Sequence, residues 1–191
     1  MSTELLNNLY FDRDADLSLI QAKSVAIIGY GNQGRAQALN LRDSGVKVIV
    51  GAREGGSSEQ QAKEDGFNVF SIQEAVKNTD IIAILLPDQV TAKAYDESIA
   101  QNLSTGQTLQ FAHGYNIHYG KIIPAKDIDV MMVAPSGAGK MVRQEFEKGS
   151  GVPNLIAIHQ GHSGAAFDMA LSYSKAIGGT RSATFKSTFK E

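Results

Sequence analysis

The chain has 191 residues, 42% of them hydrophobic, a formal charge of −2 and no cysteine. That length supplies one fair-sized domain with a real core, or one domain plus a tail. The near-neutral charge argues against a nucleic-acid surface and a polybasic membrane patch. The lack of cysteine excludes disulfides, thiolate zinc sites and a cysteine nucleophile.

In chain order, Met1 to Asp16 is polar and acidic and lacks the apolar core of a secretory signal. Val25 to Ile28 is a short apolar run of the kind found in strands buried on both faces. Gly29 to Gly34 is a turn. Ala36 to Arg42 has helical spacing and stops at Asp43-Ser44-Gly45. Val46 to Val50 is a second strand, and Ser57 to Asp65 a polar helix ended by Gly66. Val69-Phe70 reads as a short strand and Ile72 to Lys77 as a short helix. Ile81 to Leu86 is the most buried-looking strand, stopped by Pro87. It is too short to span a bilayer. Thr91 to Ala100 follows as a helix. Thr108 to Phe111, Val130 to Ala134 and Leu155 to Ile158 are further strands, and Gly164 to Ile177 is a helix closed by Gly178-Gly179. Arg181 to Glu191 is a polar tail.

Strand and helix alternate strictly. This predicts an α/β fold of the Rossmann type, a doubly wound, mainly parallel sheet with helices on both faces. The loops after Ile28, Val50, Leu86, Phe111 and Ala134 then share one rim, where such sheets bind ligands. The expected protein is soluble and cytoplasmic, with no membrane or nucleic-acid partner.

Gly29-Tyr30-Gly31-Asn32-Gln33-Gly34 matches G-x-G-x-x-G between a buried strand and a helix, the context that makes the pattern specific for a dinucleotide. Gly29 allows the tight turn, Gly31 lets a pyrophosphate approach the backbone, and Gly34 lets helix pack on strand. NAD sites carry an acid about 20 residues on, for the ribose 2′-hydroxyl. Here Val50 is followed by Gly51-Ala52-Arg53, so the acid is missing and an arginine stands in its place. Arg53 with Ser57 and Ser58 suits a 2′-phosphate, which predicts NADPH. Ser57 is equally a helix N-cap with Gln60 completing a capping box. Glu54 counts against a phosphate by repulsion.

His113 closes the strand Thr108 to Phe111 on the same rim. It is either a proton-transfer group beside the nicotinamide or a loop histidine satisfied by backbone. His118 reads as exposed or structural. His159 and His162 flank Gln160-Gly161 with no carboxylate at ligand spacing. Ala134 to Lys140 faintly suggests a phosphate loop, but Met141 stands where that motif needs Ser or Thr.

These residues resemble ketol-acid reductoisomerase. The resemblance is carried by Gly29 to Gly34 with Ala38 to Gly45, Leu85 to Asp88, Phe111-Ala-His-Gly-Tyr-Asn-Ile-His-Tyr119, Val133 to Pro135, Gly151 to Pro153 and Thr188-Phe-Lys-Glu191. It implies that Tyr30, Gly31, Asn32 and Gln33 line the cofactor. Arg53 and Ser58 take the 2′-phosphate, with Ser57 beside Gly56, where the family often has serine. Asp88, Gln89, Val90 and Thr91 form the loop after the fourth strand. His113 is implied to be catalytic, and Gly139 to contact the cofactor near the nicotinamide.

Two departures stand out. The family usually reads Pro-Lys-Gly-Pro-Gly-His in the rim loop, where this chain has Pro135-Ser-Gly-Ala-Gly-Lys140. The family's magnesium ligands also follow the Thr188–Glu191 motif, so no metal ligand is expected within this sequence. Residues 1–185 are expected to form the NADPH-binding domain, and 186–191 to open the connection to a helical domain. The implied reaction is magnesium-dependent alkyl migration in an acetohydroxy acid, then reduction by NADPH, in branched-chain amino-acid synthesis. The chain alone is expected to bind NADPH with little or no turnover, and a homo-oligomer is possible. The rival readings are a truncated homologue serving as a nucleotide-binding or regulatory module, and a metal-independent ketone or imine reductase.

Overall fold

A computed structural model describes residues 8–190. Residues 1–7 of the N-terminal segment and the last residue of the Thr188–Glu191 motif lie outside the described residues.

Nine strands form one sheet: β1 (Leu9–Tyr10), β2 (Ser24–Ile28), β3 (Lys47–Gly51), β4 (Val69–Phe70), β5 (Ile81–Ile84), β6 (Thr108–Phe111), β7 (Asp129–Pro135), β8 (Asn154–Gln160) and β9 (Thr184–Lys186). Eight α-helices among the described residues accompany it: α1 (Ser18–Gln21), α2 (Asn32–Asp43), α3 (Ser57–Glu64), α4 (Ile72–Lys77), α5 (Asp88–Ala94), α6 (Tyr115–His118), α7 (Gly139–Glu147) and α8 (Ala166–Ala176). The strand order is β1-β9-β8-β7-β6-β5-β2-β3-β4. From β4 across to β7 every pairing is parallel. The chain winds outward from β2 through β3 and β4, then returns to β5 on the other side. The β2/β5 crevice is therefore the topological switch point.

Side chains alternate across each strand, so both faces bury apolar residues. Val25, Ile27, Ile81 and Val133 face a core layer with Ile20, Leu41, Ala62 and Tyr173 of α1, α2, α3 and α8. Ala26, Ile28, Ile82 and Leu109 face the opposite layer with Val76, Tyr95 and Ile117. Val25, Ile27, Ile28, Ile81 and Ile82 are fully buried, and each such side chain stabilises the fold by roughly 1.5–3 kcal/mol. The switch point thus sits on the best-anchored strands.

The sheet is mainly parallel, as expected, with antiparallel pairings on one side of β7. β8 runs antiparallel to β7. The reason lies in α7, which the sequence pattern did not reveal. Its Val142 packs against Ala36 of α2 and Val152, and the Ser136 N–H donates to Pro153 O at 2.8 Å. The chain therefore re-enters the sheet at the rim it had just left, and β8 must run back. β9 pairs parallel with β8 and antiparallel with β1, so the polar tail contributes a strand that runs across the 185/186 boundary. Helix starts also shift. α2 begins at Asn32 and α5 at Asp88, and α5 continues through a π-helical turn at Tyr95–Ile99.

Candidate dinucleotide site

At Gly29 the backbone has φ 96°, a left-handed conformation that favours glycine. A Cβ at Gly34 would fall on the carbonyl oxygen of Gly29, whereas one at Gly31 would meet nothing within 4 Å. The first position closes helix onto strand, and the second leaves room for a ligand against the backbone. Gly31 caps α2 without a side-chain hydrogen bond, and Arg35 is the first residue whose N–H reaches back, to Gly31 O at 2.8 Å. The N–H groups of Asn32, Gln33 and Gly34 are thus those a helix leaves without intrahelical partners, and they suit an anion.

The turn's side chains divide. Gly31 and Asn32 are exposed, whereas Tyr30 is buried, with its ring edge-on to Phe67 at 5.9 Å and its hydroxyl donating to Asp65 Oδ2 at 2.9 Å. Tyr30 anchors the turn from beneath. Gln33 Nε2 donates to Gly137 O at 2.7 Å, tying the turn to the rim loop. Gln37 Nε2 donates to Gln33 Oε1 at 3.2 Å, and the buried Tyr173 hydroxyl donates to Gln37 Oε1 at 2.9 Å. Gly139 packs on the other side of the turn, where a Cβ would overlap the Asn32 carbonyl.

Two clefts flank the turn. The first, of about 460 Å³, is lined by Gly29, Arg53, Ser57, Ser58, Ile72, Val90 and Lys93, among others. Ser57 is not the cap of α3. The cap is Gly56, and no side chain bonds there, so Ser57 enters the cleft as the first helical residue. Neither serine hydroxyl has a hydrogen bond, and Arg53 has no ion pair, among the described residues. A cation, two hydroxyls and the N-terminus of α3 converge without an internal partner. Glu54 lines a neighbouring cleft with Glu59 and Glu74 rather than this one. At the end of β3, a Cβ at Gly51 would lie 2.5 Å from Ile28 Cδ1 and 3.0 Å from Ala75 Cβ, so a side chain there requires its neighbours to shift. Val90 is 48% exposed and offers an apolar surface in this cleft. Ile72 and Lys93 line it too but escaped sequence reasoning, which saw in them only ordinary helix residues.

The second cleft, of about 300 Å³, is lined by Gln33, Leu86, Asp88, Thr91, His113 and Asn116, among others. His113 Nδ1 lies 3.0 Å from Asp88 Oδ2. Asn116 Nδ2 donates to Asp88 O at 3.3 Å. The carboxylate holds the proton on Nδ1 and leaves Nε2 as the free nitrogen. Thr91 is buried, and its hydroxyl donates to Pro87 O at 3.0 Å. Gln89 is exposed and lies outside the lining of both clefts. Lys140 lines a third cleft with Tyr30, Gly31, Asn32 and Arg143, not the one that holds His113. His118 packs on Tyr119 and His159 on Phe189. Phe189 also passes over Gly114, so the C-terminal segment lies beside His113. Among the described residues no group of three or more His, Cys, Asp or Glu is placed to hold a metal, and no helix is long and apolar enough to cross a membrane.

A turn open at Gly31, a cation-and-hydroxyl cleft and an adjoining histidine–aspartate pair now stand on one rim. The NADPH-binding domain of acetohydroxy acid isomeroreductase matches residues 19–183. The chain belongs to this family. It is 55% identical over 186 residues to the ketol-acid reductoisomerase (NADP(+)) of Renibacterium salmoninarum, covering 97% of this chain and 54% of that protein. The chain thus spans about half the length of this curated relative. A solved NADH-preferring ketol-acid reductoisomerase from an uncultured archean superposes with TM-score 0.92 at 41% identity, over 95% of this chain and 56% of that one. An imine reductase variant from Myxococcus stipitatus in complex with NAD+ has TM-score 0.60 at 20% identity, over 87% of this chain and 55% of that one. That likeness shows the shared Rossmann fold alone. The isomeroreductase family's NADPH-binding domain is therefore the unit described here.

Proposed function

We propose that this chain is the cofactor-holding half of a ketol-acid reductoisomerase that uses NADPH and acts on acetohydroxy acids in the cytoplasm. The observation that carries the cofactor choice is the first cleft, where Arg53, Ser57 and Ser58 converge unpartnered and Gly51 replaces an acid. In this reading the pyrophosphate lies against Gly31 and the free N–H groups of α2, and the 2′-phosphate against Arg53 and α3. Val90 and Ile72 cover the adenine. When bound, NADPH supplies the hydride for reduction. Asp88 orients His113, whose Nε2 holds or releases a proton at the edge of the second cleft. Gln33 fixes the rim loop beside it, and Gly139 backs the turn. Gln89 flanks the entrance on α5. Residues 1–185 constitute the domain in this reading, and 186–191 lead toward the helical part.

Magnesium belongs to the family reaction, but the described residues supply no donor set for it. One relative prefers NADH, so the Arg53 loop is the feature to test. NADPH and NADH titrations, followed by nucleotide fluorescence, are expected to show binding with preference for NADPH. With acetolactate and magnesium the chain alone is expected to show no robust NADPH oxidation. Absence of NADPH binding would overturn the cofactor reading, and robust turnover would overturn the division of labour.

A further inference from the structure

α3 is weakly held. Ala62 is its one buried residue among those described. Its N-terminus carries Ser57 and Ser58 into the first cleft. Asp65 is its C-cap, about 12 Å away at 1.5 Å rise per residue.

At Asp65 the helix meets a polar clamp. Arg35 Nε and Nη2 donate to the two carboxylate oxygens at 2.6 and 2.9 Å, in a bidentate pair. The Tyr30 hydroxyl donates to Oδ2 at 2.9 Å. Arg42 Nη1 donates to the Asp65 carbonyl at 2.6 Å, and its guanidinium lies 4.7 Å from the Phe67 ring centroid. Three side chains from the turn and α2 therefore grip one end of a helix whose other end faces the ribose-phosphate position. The Asp65 side chain is only 13% exposed. The Arg35 guanidinium holds its carboxyl below the usual range, and burial pushes the Tyr30 phenol up, so acceptor and donor keep their roles at neutral pH.

We propose that Asp65 is a positioning residue for cofactor selectivity: by tying the end of α3 to Tyr30 and Arg35 it sets where Ser57 and Ser58 meet a 2′-phosphate. The proposal rests on the cofactor reading above. It makes Asp65 act at a distance, through the helix, without touching the nucleotide. NADH lacks the phosphate that α3 is placed to receive, so loosening α3 acts on the two nucleotides unequally.

Dissociation constants for NADPH and NADH are measured by nucleotide fluorescence on the 191-residue chain, Asp65→Asn, Asp65→Glu and Arg35→Gln. Asp65→Asn is expected to weaken NADPH about tenfold and NADH less than about threefold, since a charge-assisted bidentate contact is lost. Asp65→Glu restores part of the preference. Arg35→Gln spares the Tyr30 bond and shifts the ratio the same way by less, so it serves if Asp65→Asn does not fold. Equal losses for both nucleotides, or unchanged NADPH affinity in Asp65→Asn and Arg35→Gln, overturn the proposal. If the unsubstituted chain binds neither nucleotide, the cofactor reading fails first and takes this one with it. Tight NADPH binding with an unmoved ratio in the variants removes the clamp alone.

Discussion

The two clefts on either side of the glycine-rich turn are built differently. The first is walled by α3, α4 and α5 and gathers its cation, hydroxyls and apolar surface from within the described chain. The second is smaller, and its histidine side chain is 67% exposed, held by one carboxylate. In the function proposed above, the contrast makes holding the cofactor and moving protons separable in this fold. The first needs only a domain. The second presents a prepared histidine to whatever lies opposite.

Gly34→Ala should strike both clefts, because its Cβ falls on the Gly29 carbonyl. A destabilisation of about 3 kcal/mol or more is expected by urea denaturation, together with lost NADPH binding. Arg53→Asp should separate the clefts. NADPH affinity is expected to fall about 100-fold, from a lost charge-assisted bond and new repulsion, with NADH changed less than about threefold. Equal loss for both nucleotides would sink the 2′-phosphate assignment. A smaller effect concerns pH. Arg35, then Tyr30 and Arg42, hold Asp65 below its ordinary value of 3.8. Its ion pair therefore stabilises the fold above about pH 4 and is lost as pH falls through the lower folded value. Asp65→Asn should flatten the acid limb of a stability–pH curve, and an unchanged limb would contradict this. His113→Ala should change least in binding, with NADPH affinity within about twofold. A large loss would show that the two clefts are not independent.

The turn and the first cleft were legible because short local signals carry them. A buried strand, three glycines and a helix give the turn away, and the Gly51-Ala52-Arg53 run shows the missing acid. Tyr30 was harder. Its place in the motif suggests a cofactor contact, but its ring points into the core, because Phe67 and Asp65 lie there and neither is near in sequence. α7 escaped although Met141, Val142 and Phe146 have helical spacing, because it opens inside the Gly137-Ala138-Gly139-Lys140 run, which reads as a rim loop. The reversed direction of β8 follows from α7 packing on α2, a tertiary fact without a local signature. β1 and β9 have two and three residues, too few for alternation to show. The Asp88–His113 pair joins residues 25 apart in number, and only the parallel register of β5 and β6 brings them together.

The bonds from Tyr173 through Gln37 and Gln33 to Gly137 all point one way, each group donating to the next. A series with a single polarity has no interchangeable middle. Turning the Gln33 amide over sets acceptor against acceptor at Gly137 and donor against donor at Gln37. The Gly137 carbonyl, which can only accept, thus sets the order of both amides back to the interior phenol. A change as slight as Tyr173→Phe would leave the buried Gln37 Oε1 without its donor, while the anchored end at Gly137 keeps its bond.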